Sequence, residues 1–269
     1  MRNAIAIPCR RAGNRPFGLF MTIAAISLVI SGAGPVSAAD PAPTNEWEGD
    51  LAVYLWGSSI AGQTATDDMI SVSFGDLLED LKMAFMVSGG ARKGKGVVLA
   101  DLIYLDLEAK QDSTESVGGN PVDVSTDVEL KSAIVSLAGG YTAVQTDNQV
   151  LNLLAGVRYL DLEVNLSFDV GGTPDSSSGS GDALDFVIGV QGRADFAKHW
   201  LFNYYLDLGT GDTEFTWQAV AGLGYRFKHL EVGFGYRYLE WSFEKGDPFA
   251  KALEDLDISG PYAGVRFLF

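Results

Sequence analysis

Beyond Pro43 the chain has no apolar run near the roughly 20 residues that a bilayer-crossing helix takes. It instead repeats segments of about ten residues in which one parity is apolar and the other small or polar. Side chains of a strand alternate between its two faces, so such a split marks a strand whose faces meet different surroundings. The clearest case is Phe215 to Phe227. Phe215, Trp217, Ala219, Ala221, Leu223, Tyr225 and Phe227 lie on one side, opposite Thr216, Gln218, Val220, Gly222, Gly224 and Arg226.

The same split recurs along the chain. Ala133 to Tyr141, Leu151 to Tyr159, Phe186 to Ala194, Trp200 to Leu206, Leu230 to Tyr238 and Val265 to Phe269 each set an apolar parity against a polar or glycine-rich one. Trp47 to Leu55 and Met83 to Arg92 follow less cleanly. In Val97 to Leu107 both parities are apolar, and Asp101 is assigned inward there. This gives about ten strands, with eight as the alternative. An even number of antiparallel strands with both termini at one end fits a closed transmembrane β-barrel, all-β in class. Closure answers a physical demand: in hydrocarbon every backbone N–H and C=O needs a partner, and an open sheet leaves two edges bare.

The connections also alternate. Short ones fall at Lys93-Gly94-Lys95, Gln145 to Asn148, Ala197 to His199 and Lys228-His229. Long ones are expected at Ser58 to Leu81, Ala109 to Asp127, Leu166 to Ala183 and Ser242 to Asp255, with Gly209 to Asp212 the short exception. Phe74 to Leu81 carries apolar residues at helical spacing and reads as a helix capping the barrel mouth; Pro248 to Leu256 is similar. Thr173 to Asp182, rich in Ser and Gly, reads as a flexible loop. Tyr104, Tyr159, Trp217 and Tyr238 are expected near one membrane interface, and Tyr141, Trp200, Tyr225, Phe227, Phe267 and Phe269 near the other.

Residues 1–39 have the three parts of a cleaved secretory signal: Arg2, Arg10, Arg11 and Arg15 without an acid, an apolar run from Leu19 to Ile30, and the small residues Ser37-Ala38-Ala39. Residues 40–269 are then the barrel. Four of the 19 basic residues leave with the signal, so 35 acidic residues face 15 basic ones, a net charge of −20 that disfavours nucleic acid. The one cysteine, Cys9, precedes the apolar run, so neither lipidation nor a disulfide is expected.

On the inward parity the pattern places Arg92, Arg158, Arg193, Arg226, Arg237 and Arg266 with Glu48, Asp50, Asp101, Asp195, Asp207 and Glu231. Buried charges must be paired, so equal numbers of each sign imply a neutralised network filling a narrow interior. A charge-selective constriction is the functional alternative. Inward glycines such as Gly222, Gly224, Gly233, Gly235 and Gly264 either make room for Tyr54, Tyr205 and Tyr262 or line a channel.

Ala91-Arg92-Lys93-Gly94, Asp101-Leu102-Ile103-Tyr104, Ala155-Gly156-Val157-Arg158-Tyr159, Ala221 to Phe227 and Gly235-Tyr236-Arg237-Tyr238 resemble a group of Gram-negative outer-membrane barrels similar to the small OmpA-like and OmpW-like proteins. Phe269, with Phe267 and Val265 at alternate positions, looks like the terminal strand read by the outer-membrane assembly machinery. The resemblance implies an outer-membrane location, with that machinery, membrane lipid and lipopolysaccharide as partners. It is silent on activity. The expectation is a non-enzymatic barrel that is structural, or passes or binds small molecules. The alternatives are an outer-membrane enzyme (a protease or lipid hydrolase) and a surface-interaction protein acting through its outer loops. Ten-stranded outer-membrane proteases use acidic residues with a histidine at the outer rim. Here His199 and His229 fall in the short turns, and no nucleophile motif or zinc-ligand spacing is present. No cofactor or metal is expected.

Overall fold

The structure, a computed structural model, describes residues 46–63, 69–72, 81–117, 120–170, 173–243 and 255–269. Twelve strands run in chain order: β1 (Trp47–Trp56), β2 (Ser59–Gln63), β3 (Met69–Val72), β4 (Leu81–Lys93), β5 (Gly96–Val117), β6 (Asn120–Gln145), β7 (Gln149–Val170), β8 (Thr173–Asp195), β9 (Trp200–Gly211), β10 (Phe215–Arg226), β11 (Leu230–Ser242) and β12 (Asp255–Leu268). No helix occurs among the described residues. Ten of these strands, β1 and β4 to β12, pair antiparallel with their neighbours, and β1 pairs with β12 from Asp50↔Leu268 to Trp56↔Tyr262. The ring is therefore a closed ten-stranded barrel. Both ends of the sheet are used up, so no edge faces hydrocarbon.

Alternation is kept around the ring. On β10, Thr216, Gln218, Gly222 and Gly224 are buried, while Phe215 and Ala221 are exposed. Outward side chains such as Leu55, Phe186, Ile188 and Phe234 are more than half exposed, which in water would be a large penalty and in lipid is none. From Leu230 to Tyr238 this apolar face spans about 21 Å along the barrel axis, for a rise near 3.4 Å per residue and a tilt near 40°. Aromatics close it at both ends. Trp200, Tyr225 and Phe227 pack edge to face at the short-turn end, and Trp217 lies 4.7 Å from Tyr238 at the other.

The long connections differ from expectation. Ala109 to Asp127 and Leu166 to Ala183 are not loops. β5 pairs with β6 as far as Val117↔Asn120, and β7 with β8 as far as Val170↔Thr173. The Ser- and Gly-rich Thr173 to Asp182 is accordingly strand, held in the β7 ladder. Strands of 22 to 26 residues, against 12 in β9 and β10, carry a four-stranded sheet beyond the apolar belt. Parity hides them because both faces there are polar, and a polar strand has no alternation to show. The Ser58 to Leu81 connection contains the β2–β3 hairpin, which extends the upper part of β12 through Ile60↔Ile258. Phe74 to Asp80 and Pro248 to Glu254 lie outside the described residues, as do residues 1–39. Leu81 belongs to β4, and Leu256 is a buried member of β12.

Candidate functional site: the barrel lumen

The inward parity of β11 gives the lumen in section. From the short turn at Lys228-His229 it reads Glu231, Gly233, Gly235, Arg237, Leu239, Trp241: charge, space, charge, then hydrocarbon. Its neighbours follow the same layers by register, with Arg226 and Arg266 opposite Glu231, Gly222 and Tyr262 opposite Gly235, and Ile258 opposite Leu239.

All six arginines beyond residue 39 have a carboxylate partner in the lumen. At the short-turn end Arg92 meets Glu48 at 2.5 Å. Arg193 and Arg226 share Asp195 at 3.5 and 3.6 Å, and Glu231 lies 3.6 Å from Arg226 and 3.9 Å from Arg266. Arg266 also pairs with Asp50 at 3.5 Å. The next layer is tighter. Arg237 Nη2 lies 2.8 Å from Asp101, its Nε and Nη2 donate to Gln218 Oε1, and its Nη1 donates to Tyr54, whose own hydroxyl donates to Asp101. The guanidinium also lies 4.8 Å over the Trp56 ring. Beside it the fully buried Arg158 pairs with Asp207 and donates to Thr216, while Tyr205 donates to Asp207 at 2.5 Å. A planar five-donor fork suits such multiple pairing better than a lysine ammonium. Exposed lysines stand instead at the short-turn rim, at Lys93, Lys95, Lys198 and Lys228.

Toward the hairpin end the lumen turns apolar. Trp56, Met86, Ile103, Ile134, Leu160, Leu239 and Trp241 belong to one buried cluster, with Leu160, Leu239 and Trp241 at most 1% exposed. Alternation in the sequence does not single out this plug: Trp56, Leu160, Leu239 and Trp241 fall just beyond the ends of the alternating segments, and Met86, Ile103 and Ile134 lie inside segments as apolar residues on the inward parity. Asp185 was missed too. It is fully buried, and its Oδ1 accepts from the Thr213 N–H and hydroxyl, which pins the tight turn between β9 and β10. Extending the Gln191–Arg193–Asp195 parity backwards through Val187 reaches it.

Between the two charged layers lies a cavity of about 240 Å³. Asp50 and Arg266, with side chains 31% and 30% exposed, mark its mouth at the short-turn end. Tyr54, Asp101, Gln218 and Arg237 form its inner end. The inward glycines divide between making room for tyrosines and facing the cavity. A Cβ on Gly222 would come within 2.2 Å of the Tyr262 hydroxyl, and one on Gly264 within 2.6 Å of the Tyr54 Cβ, so these two make room for tyrosines. Gly233 faces the cavity, where a Cβ would meet only a backbone oxygen at 3.5 Å.

His199 and His229 are exposed at the short-turn end, and among the described residues no group of acids, histidines and cysteines has the arrangement of a metal site. Val265, Phe267 and Phe269 end the chain on the outer face of β12, with Phe267 opposite Leu51 and Leu230.

Fold and lumen together define a closed β-barrel with a charged, partly filled interior. The architecture is similar to that of the outer membrane protease OmpT from Escherichia coli, with a TM-score of 0.50 at 11% identity over 87% of this chain and all of that one. The translocator domain of the autotransporter NalP from Neisseria meningitidis gives 0.46 at 12% identity, covering 83% of this chain and 88% of that one. Ail of Yersinia pestis gives 0.35 at 10%, covering 84% and 100%. At these identities the likeness to OmpT is one of fold alone. No protein-family model matches the chain, and no curated protein sequence does.

Proposed function

We propose that the chain is an outer-membrane barrel without enzymatic chemistry, whose lumen is closed toward the hairpin end and reached from the periplasmic, short-turn end. The apolar belt with aromatic rims supports the membrane placement. Short turns on one side and tall hairpins on the other support the orientation. The observation that carries the closed reading is the stack of Arg237 and Arg158 layers beneath the Leu160–Leu239–Trp241 plug. A hydrated ion passing upward would have to leave its water for hydrocarbon-like packing, which costs several kcal/mol or more.

Planar-bilayer recording of the refolded chain tests this. Wild type should give no steady conductance, and Leu239→Ser with Trp241→Ser should introduce one. Steady ion-selective current through wild type, altered by Arg158→Ala, would refute closure and make the inward charges a pore lining. A second reading, surface interaction, is favoured by the four-stranded sheet of β5 to β8 that stands beyond the belt. Cell-surface binding lost when residues 109–127 are deleted, with the barrel intact, would establish it.

A further inference from the structure

We propose that the short-turn half of the lumen is a binding site for a small, neutral, polyhydroxylated molecule of about monosaccharide size. The proposal rests on the closed reading above, because only a dead-ended lumen gives the cavity a fixed inner wall.

Size sets the first limit. The cavity measures about 240 Å³, below the roughly 300–1,000 Å³ of pockets that hold drug-sized ligands, which suits a molecule of one six-membered ring. Charge sets the second. Asp50, Asp195 and Glu231 balance Arg193, Arg226 and Arg266 around the mouth, and Asp101 balances Arg237 at the inner end. An ion entering this site would unbalance pairs already formed; a neutral molecule leaves them intact.

Unused hydrogen-bonding capacity gives the third. Three oxygens of the lining residues, Asn203 Oδ1, Ser136 Oγ and Glu231 Oε2, are buried without a hydrogen-bond partner, the last held only by the charge of Arg226 at 3.6 Å. Glu231 keeps its other oxygen on Asn203 Nδ2, at 3.0 Å, and its side chain is only 4% exposed. All three oxygens accept, so the molecule that completes them is rich in donors. Tyrosines form part of the wall: Tyr54, Tyr205 and Tyr262 border the same space among small and aliphatic side chains, with Tyr262 laid over Gly222 and Gly235. Aromatic walls suit a ring whose faces carry C–H bonds and whose rim carries hydroxyls, and a few convergent polar groups in a concave apolar setting mark a ligand site.

Gly233 supplies the control. A leucine side chain there starts from an unhindered Cβ at the cavity wall. The experiment is isothermal titration of the refolded full barrel in detergent with D-glucose and myo-inositol. Ethanolamine and acetate serve as cationic and anionic probes, and folding is verified by heat-modified gel mobility. Wild type should bind at least one of the two polyols saturably, in the millimolar range or tighter, and neither ion. Gly233→Leu should lose the binding, and Asn203→Leu should weaken it about tenfold. Gly233→Ser, smaller and polar, should fold and keep most of it. No saturable polyol binding by folded wild type would overturn the proposal, and so would ethanolamine or acetate binding in place of the polyols, or full affinity in folded Gly233→Leu. Steady wild-type conductance instead sinks the closed lumen on which the site rests, whereas a silent bilayer with no titration signal sinks the site alone.

Discussion

Removing the Asp207 carboxylate is the sharpest test of how the lumen is held together. Asp207 and Arg158 pair with side chains 1% and 0% exposed, and the same carboxylate accepts from Tyr205. Asp207→Ala leaves an arginine without its counter-ion where water cannot reach, which costs about 3–5 kcal/mol. The stranded Tyr205 hydroxyl adds roughly 1 kcal/mol. Thr216 Oγ1 lies 3.2 Å from Arg158 and supplies a dipole, not a charge, so it offsets little of this. The double variant Arg158→Met with Asp207→Leu takes away both charges and keeps volume, and should unfold within about 1 kcal/mol of wild type or above it. Both are read from reversible urea unfolding in short-chain lipid vesicles, followed by tryptophan fluorescence. The slope against urea should be unchanged, since the surface exposed on unfolding is the same. If the single variant loses under about 1 kcal/mol, or the double variant is weaker than the single, the pair is not a buried unit and the layered lumen is wrong.

Two further substitutions probe space and protonation. Gly222→Ala drives a methyl to within 2.2 Å of the Tyr262 hydroxyl and 2.7 Å of the Phe234 carbonyl, and should cost about 1–3 kcal/mol in the same assay, whereas Gly233→Ala should be nearly neutral. Asp257 lies beyond the apolar belt, opposite Glu240 in the ladder and 2.7 Å from the Tyr238 hydroxyl. Burial, then the charges of Glu240 and Asp255, push its pKa above the usual carboxylate value, against the opposing hydrogen bond from Tyr238. The folded state therefore holds this proton more tightly than the unfolded one. The associated stability is fully present below the unfolded pKa near 3.8 and is lost as pH rises through the raised folded value. Asp257→Asn should thus raise the unfolding midpoint at pH 7, with the gain shrinking to nothing near pH 4. A gain that grows on acidification would contradict the assignment.

Legibility followed the contrast between the two faces of each strand. Where lipid lies outside and charge inside, as in Leu230 to Tyr238, parity alone places Glu231, Gly233, Gly235 and Arg237 in the lumen, and the ten-strand ring follows from counting such segments. Where both faces are polar, as from Ala109 to Asp127, alternation vanishes and the strands read as loops. Where both faces are apolar, as in Val97 to Leu107 and at Leu239 and Trp241, parity cannot separate plug from belt. Asp101 is assigned inward only by its charge. Arg237 shows what lies beyond pattern altogether. Its partners Asp101, Tyr54, Gln218 and Trp56 come from three strands, β1, β5 and β10, and only closure of β1 on β12 brings them together.

That closure also decides what kind of barrier the lumen is. A narrow pore excludes by diameter, and a slightly wider barrel of the same lining would conduct. Here the short-turn half is polar and holds an open volume, so diameter does not stop a small solute at the entrance. The stop lies higher, where Arg237 has its donors committed to partners, Arg158 is held by Asp207 and Thr216, and the next layer is built of Leu239, Trp241, Leu160 and their neighbours. Passing it means breaking a buried ion pair and then burying a polar group without a partner, two costs of several kcal/mol each. The barrier is therefore chemical, and it should respond to the polarity of Leu239 and Trp241 more than to their size. Leu239→Asn, close to leucine in volume, should weaken closure more than Leu239→Ala, which leaves a larger but dry space.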